Sequence, residues 1–462
     1  MPDDLLFDPE LLARYDQPGP RYTSYPTAPH FTEYFGALAL EQCIERSNED
    51  PIPHRLSLYV HVPFCESPCF YCGCNRVITR DRTRAESYVQ QVVTEAGRLA
   101  ARIDRDREVV QLHLGGGTPT FLEPGRIAWL IRALGSEFPL STAASRDFSI
   151  EIDPRTLSPD GLAELAAAGL NRVSLGVQDF DPVVQETINR IQSLEETAAL
   201  VHAARWSGMR SVNIDLVYGL PGQTRERFSN TLDAVLSLAP DRIATYGYAH
   251  MPQMFKAQRR FSTEQLPTAR ERLELLCLAI ERLTHAGYRY IGMDHFARPE
   301  DELALAQAEQ ALHRNFMGYT THADCDLVGL GVSAISQIDD SYSQNPREIP
   351  DYEIRLATGG LPTWRGLRMS EDDRIRADVI QQLMCHARVD FDRLAARHLV
   401  EFEPYFAADL PRLKPLLADG LVEFEARGLR VTPRGRLLLR NVAACFDRYL
   451  HEGGAGRHSR TI

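Results

Sequence analysis

Four cysteines, Cys65, Cys69, Cys72 and Cys74, fall within ten residues of a 462-residue chain, while Cys43, Cys277, Cys325, Cys385 and Cys445 are scattered. Thiols stay reduced in a large cytoplasmic chain, so such a cluster points to a metal or to redox chemistry, and the scattered cysteines read as small buried hydrophobes. Three thiolates spaced C-x3-C-x2-C on a loop reach three corners of an iron–sulfur cubane and leave its fourth iron open to a substrate. A ferredoxin supplies four thiolates in tighter C-x2-C-x2-C runs, which this spacing disfavours. Zinc held by four sulfurs of the loop, or by three and His61, is the alternative that spacing leaves open. Cys72 and Cys74 are separated by a single residue, awkward for two ligands of one tetrahedral ion, which marks Cys74 as a neighbouring non-ligand.

Such a loop needs a scaffold. Short β-branched runs at 56–62, 109–114, 148–153, 172–177, 211–217 and 242–249 alternate with amphipathic helical patterns near 85–105, 124–136, 158–168, 181–207 and 225–238. Alternating βα units predict a parallel sheet. Six of them predict an α/β fold, a partial (β/α)6-type barrel, with 288–296 and 326–336 extending the sheet or lining its mouth. Residues 1–55 read as an N-terminal extension covering the active site, its irregular Pro-rich and aromatic stretch at 18–31 folding over something. Residues 56–365 hold the barrel and associated elements, and 366–462 a small, mostly helical, winged-helix-like domain with two strands joined by a turn at 419–436.

Functional groups of a parallel barrel gather where strands end and loops begin. The cysteine loop follows the first strand, and Gly115-Gly116-Gly117-Thr118-Pro119 follows the second, its glycines letting backbone approach a ligand closely. Glu151 and Asp153 end the third, Gln178 and Asp179 the fourth, Asp215 lies on the fifth, and Tyr248, Ala249 and His250 end the sixth. Singly, each reads as a turn or a helix cap. Their joint placement on one rim weighs against coincidence. The run Gly329–Ala334 mimics a dinucleotide fingerprint but lacks a βαβ context and a ribose-binding acid, and reads as loop or barrel mouth.

Charge narrows the partners. With 51 Lys and Arg against 63 Asp and Glu the net charge is −12, the wrong sign for nucleic acid, and the C-terminal domain is expected to pack on the barrel rather than on DNA. An acidic substrate would need a local arginine cluster inside a pocket. No apolar run approaches the roughly 20 residues that cross a bilayer, so no membrane insertion is expected. The acidic start MPDDLLFDPELL lacks the features of an export signal, which predicts a cytoplasmic protein.

CESPCFYC (65–72) and the glycine run resemble the radical S-adenosylmethionine (SAM) enzymes. More narrowly, GPRYTSYPTA (19–28), SLYVHVPFC (57–65), CGCN (72–75), GVQDF (176–180), YGYAH (246–250), GMDHFARP (292–299) and HRNFMGYTT (313–321) are similar to the oxygen-independent coproporphyrinogen III oxidases. The resemblance implies anaerobic oxidative decarboxylation of two propionates of coproporphyrinogen III to vinyl groups, giving protoporphyrinogen IX in haem biosynthesis. It implies a [4Fe–4S] cluster on Cys65, Cys69 and Cys72, with SAM on the fourth iron and a 5′-deoxyadenosyl radical as the oxidant. Tyr59, Gly116, Glu151, Gln178 and Arg190 would contact that SAM. A second SAM would lie near Tyr71, Gly117, Thr118, Asp215, Ala249 and Ile335, Tyr71 through its backbone. Arg21, Arg298 and Arg314 are candidates for the substrate carboxylates, and Tyr22 and Tyr25 for covering the macrocycle. The implied partners are an electron donor such as flavodoxin or ferredoxin and a separate electron acceptor, and the implied state is a monomer. Two rivals remain at this stage: a haem-binding chaperone on the same scaffold, whose homologues lack the N-terminal segment and the extra cysteine, and a zinc-stabilised regulator.

Overall fold

The computed structural model describes residues 5, 6 and 8–452. Part of the stretch behind the export-signal expectation, residues 1–4 and 7, lies outside the described residues, as do 453–462.

Period-two alternation builds the barrel and its polar interior together. In β1 (Arg55–Val62), Leu56, Leu58, Val60 and Val62 are buried in the main hydrophobic core, while Ser57, Tyr59 and His61 take the opposite face. Successive side chains of a strand point to opposite faces, so one sequence supplies both surfaces. The same alternation runs through β2 (Val109–Gly116), β3 (Asp147–Ile152), β4 (Arg172–Gln178), β5 (Ser211–Tyr218) and β6 (Arg242–Gly247). Phe148, Ile150 and Ile152 join the core with Val173, Leu175 and Val177. Parallel strands covered by helices on both faces usually read as unbroken apolar runs. Here one face lines a cavity and stays polar.

β7 (Arg289–Gly292) and β8 (His295–Ala297) form a hairpin that extends the sheet antiparallel beyond β6. β9 (Cys325–Leu330) returns to lie parallel to β1, and β10 (Ile335–Ile338), β11 (Ser341–Gln344) and β12 (Arg365–Arg368) follow antiparallel. The twelve-stranded order is β12-β11-β10-β9-β1-β2-β3-β4-β5-β6-β8-β7, so the six expected strands stand in sequence order with additions at both edges. Gly329–Ala334 is the end of β9 and the tight turn after it. A Cβ on Gly329 would lie 2.4 Å from the Ile335 carbonyl oxygen, so strand packing accounts for that glycine.

The helices α1 (Arg82–Ala100), α2 (Pro124–Glu137), α3 (Pro159–Ala167), α4 (Pro182–Ile188), α5 (Leu194–Trp206) and α6 (Arg225–Leu238) cover the outside. The single helix expected over 181–207 is two. Asn189 enters the left-handed region at φ 56°, and the capping box of Ser193 with Glu196 starts a new helix. Arg190 sits in the break, buried.

A second hydrophobic core belongs to the C-terminal region, around α7 (Glu371–His386) and the three-stranded sheet of β13 (Arg388–Asp390), β14 (Val422–Glu425) and β15 (Gly428–Val431). The two strands expected in 419–436 are β14 and β15. Leu11, Leu12, Tyr22 and Tyr25 of the N-terminal segment pack into this core, so that segment ties the two cores together.

Candidate active site

A cavity of about 660 Å³ opens at the C-terminal ends of β1 to β6. The short strand Phe64–Cys65, paired with Val77–Ile78, launches the cysteine loop across its mouth, and Cys65, Cys69, Cys72 and Cys74 all line the wall. The Thr118 hydroxyl lies 3.3 Å from Cys65 Sγ. Arg190 Nη1 lies 3.5 Å and Arg155 Nη2 3.8 Å from Cys69 Sγ. Arg76 donates to the Cys72 and Cys69 carbonyls at 3.1 and 3.4 Å and so braces the loop. The Cys72 thiol is pulled down to about 6, first by the hydrogen bond from Cys74, with burial opposing and Arg76 assisting. Burial pushes the Cys65 thiol up to about 11, so a metal centre binding there displaces a proton. Three cysteines of one loop on one cavity wall are the donor type that iron–sulfur clusters take, which fits a cluster on Cys65, Cys69 and Cys72.

Beside the loop, charged groups are already paired. Arg190 donates from Nη1 to Asp153 at 2.8 Å and from Nη2 to the Gly176 carbonyl. Asp153 also accepts from Arg155 Nε at 2.9 Å and Nη2 at 2.7 Å. Burial alone would raise the Asp153 carboxyl, but Arg190 and then Arg155 hold it below its usual range. Glu151 accepts from the Gly116 N–H at 3.1 Å and from His113 Nε2 at 3.3 Å; here too burial is outweighed, and the carboxyl is lowered. Asp215 accepts from Ser174 Oγ at 2.7 Å and Asn213 Nδ2 at 2.8 Å, and burial, with the Glu151 charge adding, pushes it up to about 6. Gln178 ends β4 at φ 70°, just past the register shift after Gly176. A non-glycine residue there costs on the order of 1 kcal/mol, strain of the kind stored at ligand sites.

The structure brings together Gly116, Gly117, Thr118, Glu151, Gln178, Arg190, Tyr71, Asp215 and Ala249 around this cavity. Tyr59 sits one layer beneath, stacked on His113 with its hydroxyl 3.0 Å from His61 Nδ1. His61 Nε2 reaches the Asn75 carbonyl at 3.0 Å, linking β1 to the end of the cysteine loop. Ile335 begins β10, outside the lining residues. A Cβ on Gly116 would stand 2.8 Å from the His61 ring, and one on Gly117 2.7 Å from the Pro63 carbonyl, so their missing side chains also make room for the end of β1 and the residue after it, while both glycines line the cavity.

Of the substrate candidates, Arg21 and Arg314 point into the molecule. Arg21 pairs with Asp294 and lies over the Tyr246 ring, and Arg314 lies over Tyr319. Tyr22, Tyr25 and Arg298 lie outside the lining of the cysteine cavity. The Tyr22 hydroxyl donates to Asp447 and the Tyr25 hydroxyl accepts from the Arg448 N–H, both in the C-terminal region, so these rings tie domains together instead of covering the cavity. Arg298 donates to the Pro240 and Ala239 carbonyls at the start of β6, the end remote from the cysteines. Sequence reasoning passed over Arg155, His113 and Tyr246 and named Asp153 only as a strand end. The parity of Asp153 with Glu151 along one strand was the available signal; Arg155 had none.

Residues 59–235 match the Radical SAM superfamily and 369–438 the HemN C-terminal domain. The chain is 49% identical to the oxygen-independent coproporphyrinogen III oxidase of Pseudomonas aeruginosa, over 100% of both chains. It is 47% identical to that of Escherichia coli, over 96% of each. The solved structure of coproporphyrinogen III oxidase (HemN) from Escherichia coli, described as a radical SAM enzyme, superposes with a TM-score of 0.91 at 46% identity, covering 97% of this chain and 100% of that one.

Proposed function

The chain belongs to the oxygen-independent coproporphyrinogen III oxidases, and from that premise we propose how its residues divide the work. It is a radical SAM oxidoreductase of haem biosynthesis that converts two propionates of coproporphyrinogen III to vinyl groups, using a [4Fe–4S] cluster and SAM, and not a haem chaperone or a zinc regulator. When bound, the cluster and SAM supply a 5′-deoxyadenosyl radical, the hard chemistry that no side chain provides.

The protein's part is holding, charge placement and exclusion. Cys65, Cys69 and Cys72 hold the cluster, and Cys74 stays a hydrogen-bonding neighbour of Cys72. Arg190, fixed by Asp153 and the Gly176 carbonyl, presents a charged group to the SAM carboxylate, for which guanidinium is suited. Glu151 and Gln178 receive the rest of that SAM, with Tyr59 and the Gly116 backbone supporting them. Tyr71, Gly117, Thr118, Asp215 and Ala249 form the further SAM position, which Ile335, at the start of β10 and outside the cavity lining, would reach only through its backbone neighbours. Arg21 and Arg314 meet the carboxylates of the substrate. Each reacting propionate loses a hydrogen atom from its β-carbon, then carbon dioxide and one electron, leaving the vinyl group; the electron goes to a separate acceptor. A small reduced flavodoxin or ferredoxin is the donor, and the enzyme works as a cytoplasmic monomer in three parts, 1–55, 56–365 and 366–462. Among the described residues no helix is long and apolar enough to cross a membrane.

The observation that carries the reading is the convergence of three cysteines, Arg190 and Glu151 on one cavity in a chain alike to the oxidases from end to end. The test is anaerobic turnover by the reconstituted, reduced protein with SAM, coproporphyrinogen III and a cell extract as acceptor. Both 5′-deoxyadenosine and divinyl porphyrin are expected to rise. Neither product from protein with an intact cluster would overturn it.

A further inference from the structure

Behind Tyr246, which lines the catalytic cavity, lie buried polar atoms of Arg314 and His295 without a hydrogen-bond partner among the described residues. Arg314 is 5% exposed, yet its Nε and Nη1 meet no acceptor, and no carboxylate forms an ion pair with it among the described residues. The His295 Nδ1 is unpartnered as well. Aromatic rings frame both groups: the Arg314 guanidinium lies 4.8 Å from the Tyr319 centroid, and His295 packs edge-on against Tyr319 at 5.4 Å and Tyr246 at 5.8 Å. Arg21 approaches the same Tyr246 ring at 5.8 Å. Arg314 also lines a second cavity of about 840 Å³, between the lower end of the barrel and α7.

A buried charge without a partner is costly, and guanidinium offers donors only, in a planar fork that matches a carboxylate. Asp294 answers Arg21, which leaves Arg314 as the cation of the group without an ion-pair partner among the described residues. Burial first, then Arg314 and Arg21, push His295 down to about 3, so the imidazole is neutral beside two cations. The group that completes such a site is an anion, and a planar one.

We propose that Arg314, Arg21 and His295 form a subsite for a carboxylate that the substrate keeps, so that the porphyrinogen is anchored by propionates that do not react while others face the cysteine loop. This deepens the oxidase reading and rests on it. Retention follows from charge. A reacting propionate must give up its carboxylate as neutral carbon dioxide, and a guanidinium that stabilises the anion opposes that loss. A carboxylate present in both substrate and product pays no such penalty.

The test uses reconstituted holoenzyme carrying Arg314→Gln or Arg314→Lys. For Arg314→Gln, the KM for coproporphyrinogen III is expected to rise at least 30-fold. Equilibrium binding of the dicarboxylate product, protoporphyrinogen IX, should weaken by a similar factor, while iron, sulfide and SAM affinity stay at the parent's level. Arg314→Lys should recover part of the binding, and His295→Gln should weaken it less than Arg314→Gln does. Product binding by Arg314→Gln as tight as the parent's overturns the subsite. So does loss of cluster or SAM affinity together with product binding, which would make Arg314 structural. If the parent yields no vinyl product at all, the oxidase reading fails, and the product-binding arm still decides the subsite.

Discussion

The rim beside the cysteines and the cluster behind Tyr246 handle charge in opposite ways. At the rim, Asp153 meets Arg190 and Arg155, and Glu151 meets His113 and the Gly116 N–H, so each charge has a partner before any ligand arrives. The Arg190 Nε is left over even at the rim, but behind Tyr246, Arg314 lacks any ion-pair partner among the described residues, and the His295 Nδ1 has no partner either. The rim is organised in advance, which suits a reactive cofactor whose position must be fixed tightly. The inner cluster leaves its balance to the substrate, which suits selection of a polyanion by an acidic protein.

The largest expected effect strikes the rim. Serine at Cys65, Cys69 or Cys72 should remove cluster iron and lower vinyl product by at least about 1,000-fold, whereas Cys74→Ser should keep its iron; iron and sulfide analysis with product assay checks both. Equal iron loss from all four would erase the distinction drawn for Cys74. Next comes Arg190→Gln, which leaves Asp153 paired with Arg155 and should raise the KM for SAM about 30-fold, since a charge-assisted contact is worth about 2 kcal/mol. The KM for the porphyrinogen should hold steady; a matching rise would merge the two regions into one.

A smaller effect tests a buried carboxyl that belongs to neither region. Glu95 accepts from the Gly331 N–H, Asn345 and Tyr352, and burial pushes it up to about 7 from an ordinary 4.5, those hydrogen bonds opposing. Its folded pKa is raised, so its contribution to stability is full below about 4.5 and is lost as pH rises through about 7. Between pH 5 and 8 the parent's Tm should fall by several degrees more than that of Glu95→Gln, the difference being on the order of 3 kcal/mol. Parallel curves would refute it. The smallest effects belong to residues that lie outside the lining of the cysteine cavity. Tyr25→Phe should cost about 1 kcal/mol of stability in denaturant unfolding, and Arg298→Ala little more, with the porphyrinogen KM unchanged in each. A raised KM in either variant would place it in the substrate site.

Much of the catalytic rim was legible in the chain because its residues sit at fixed offsets from strand ends. Glu151, Gln178 and Asp215 follow from strand positions, and the cysteine spacing stands in ten consecutive residues. Arg190 was named from its motif, yet the pattern placed it inside a helix. The break that turns it inward depends on the left-handed Asn189, whose side chain donates to Ser67 at 3.2 Å and the Pro68 carbonyl at 2.8 Å in the cysteine loop itself. The contacts of Tyr22 and Tyr25 with the C-terminal region are not legible in the sequence, because aromatic residues in an irregular segment look the same whether they meet a ligand or another domain.

What the sequence determined by itself is therefore local: the βα alternation, the polar and apolar faces of each strand, the triple-cysteine loop and the acidic net charge. These depend on neighbours along the chain, through side-chain periodicity and short loop geometry. The tertiary structure alone decided which long-range partners meet. It set β9 beside β1, and Asp153 against Arg190. It also brought Arg314, His295 and Arg21 together behind Tyr246 from positions far apart in the chain. Burial and pairing are properties of that assembled space, and a charge becomes a binding site only where the fold leaves it dry and unanswered.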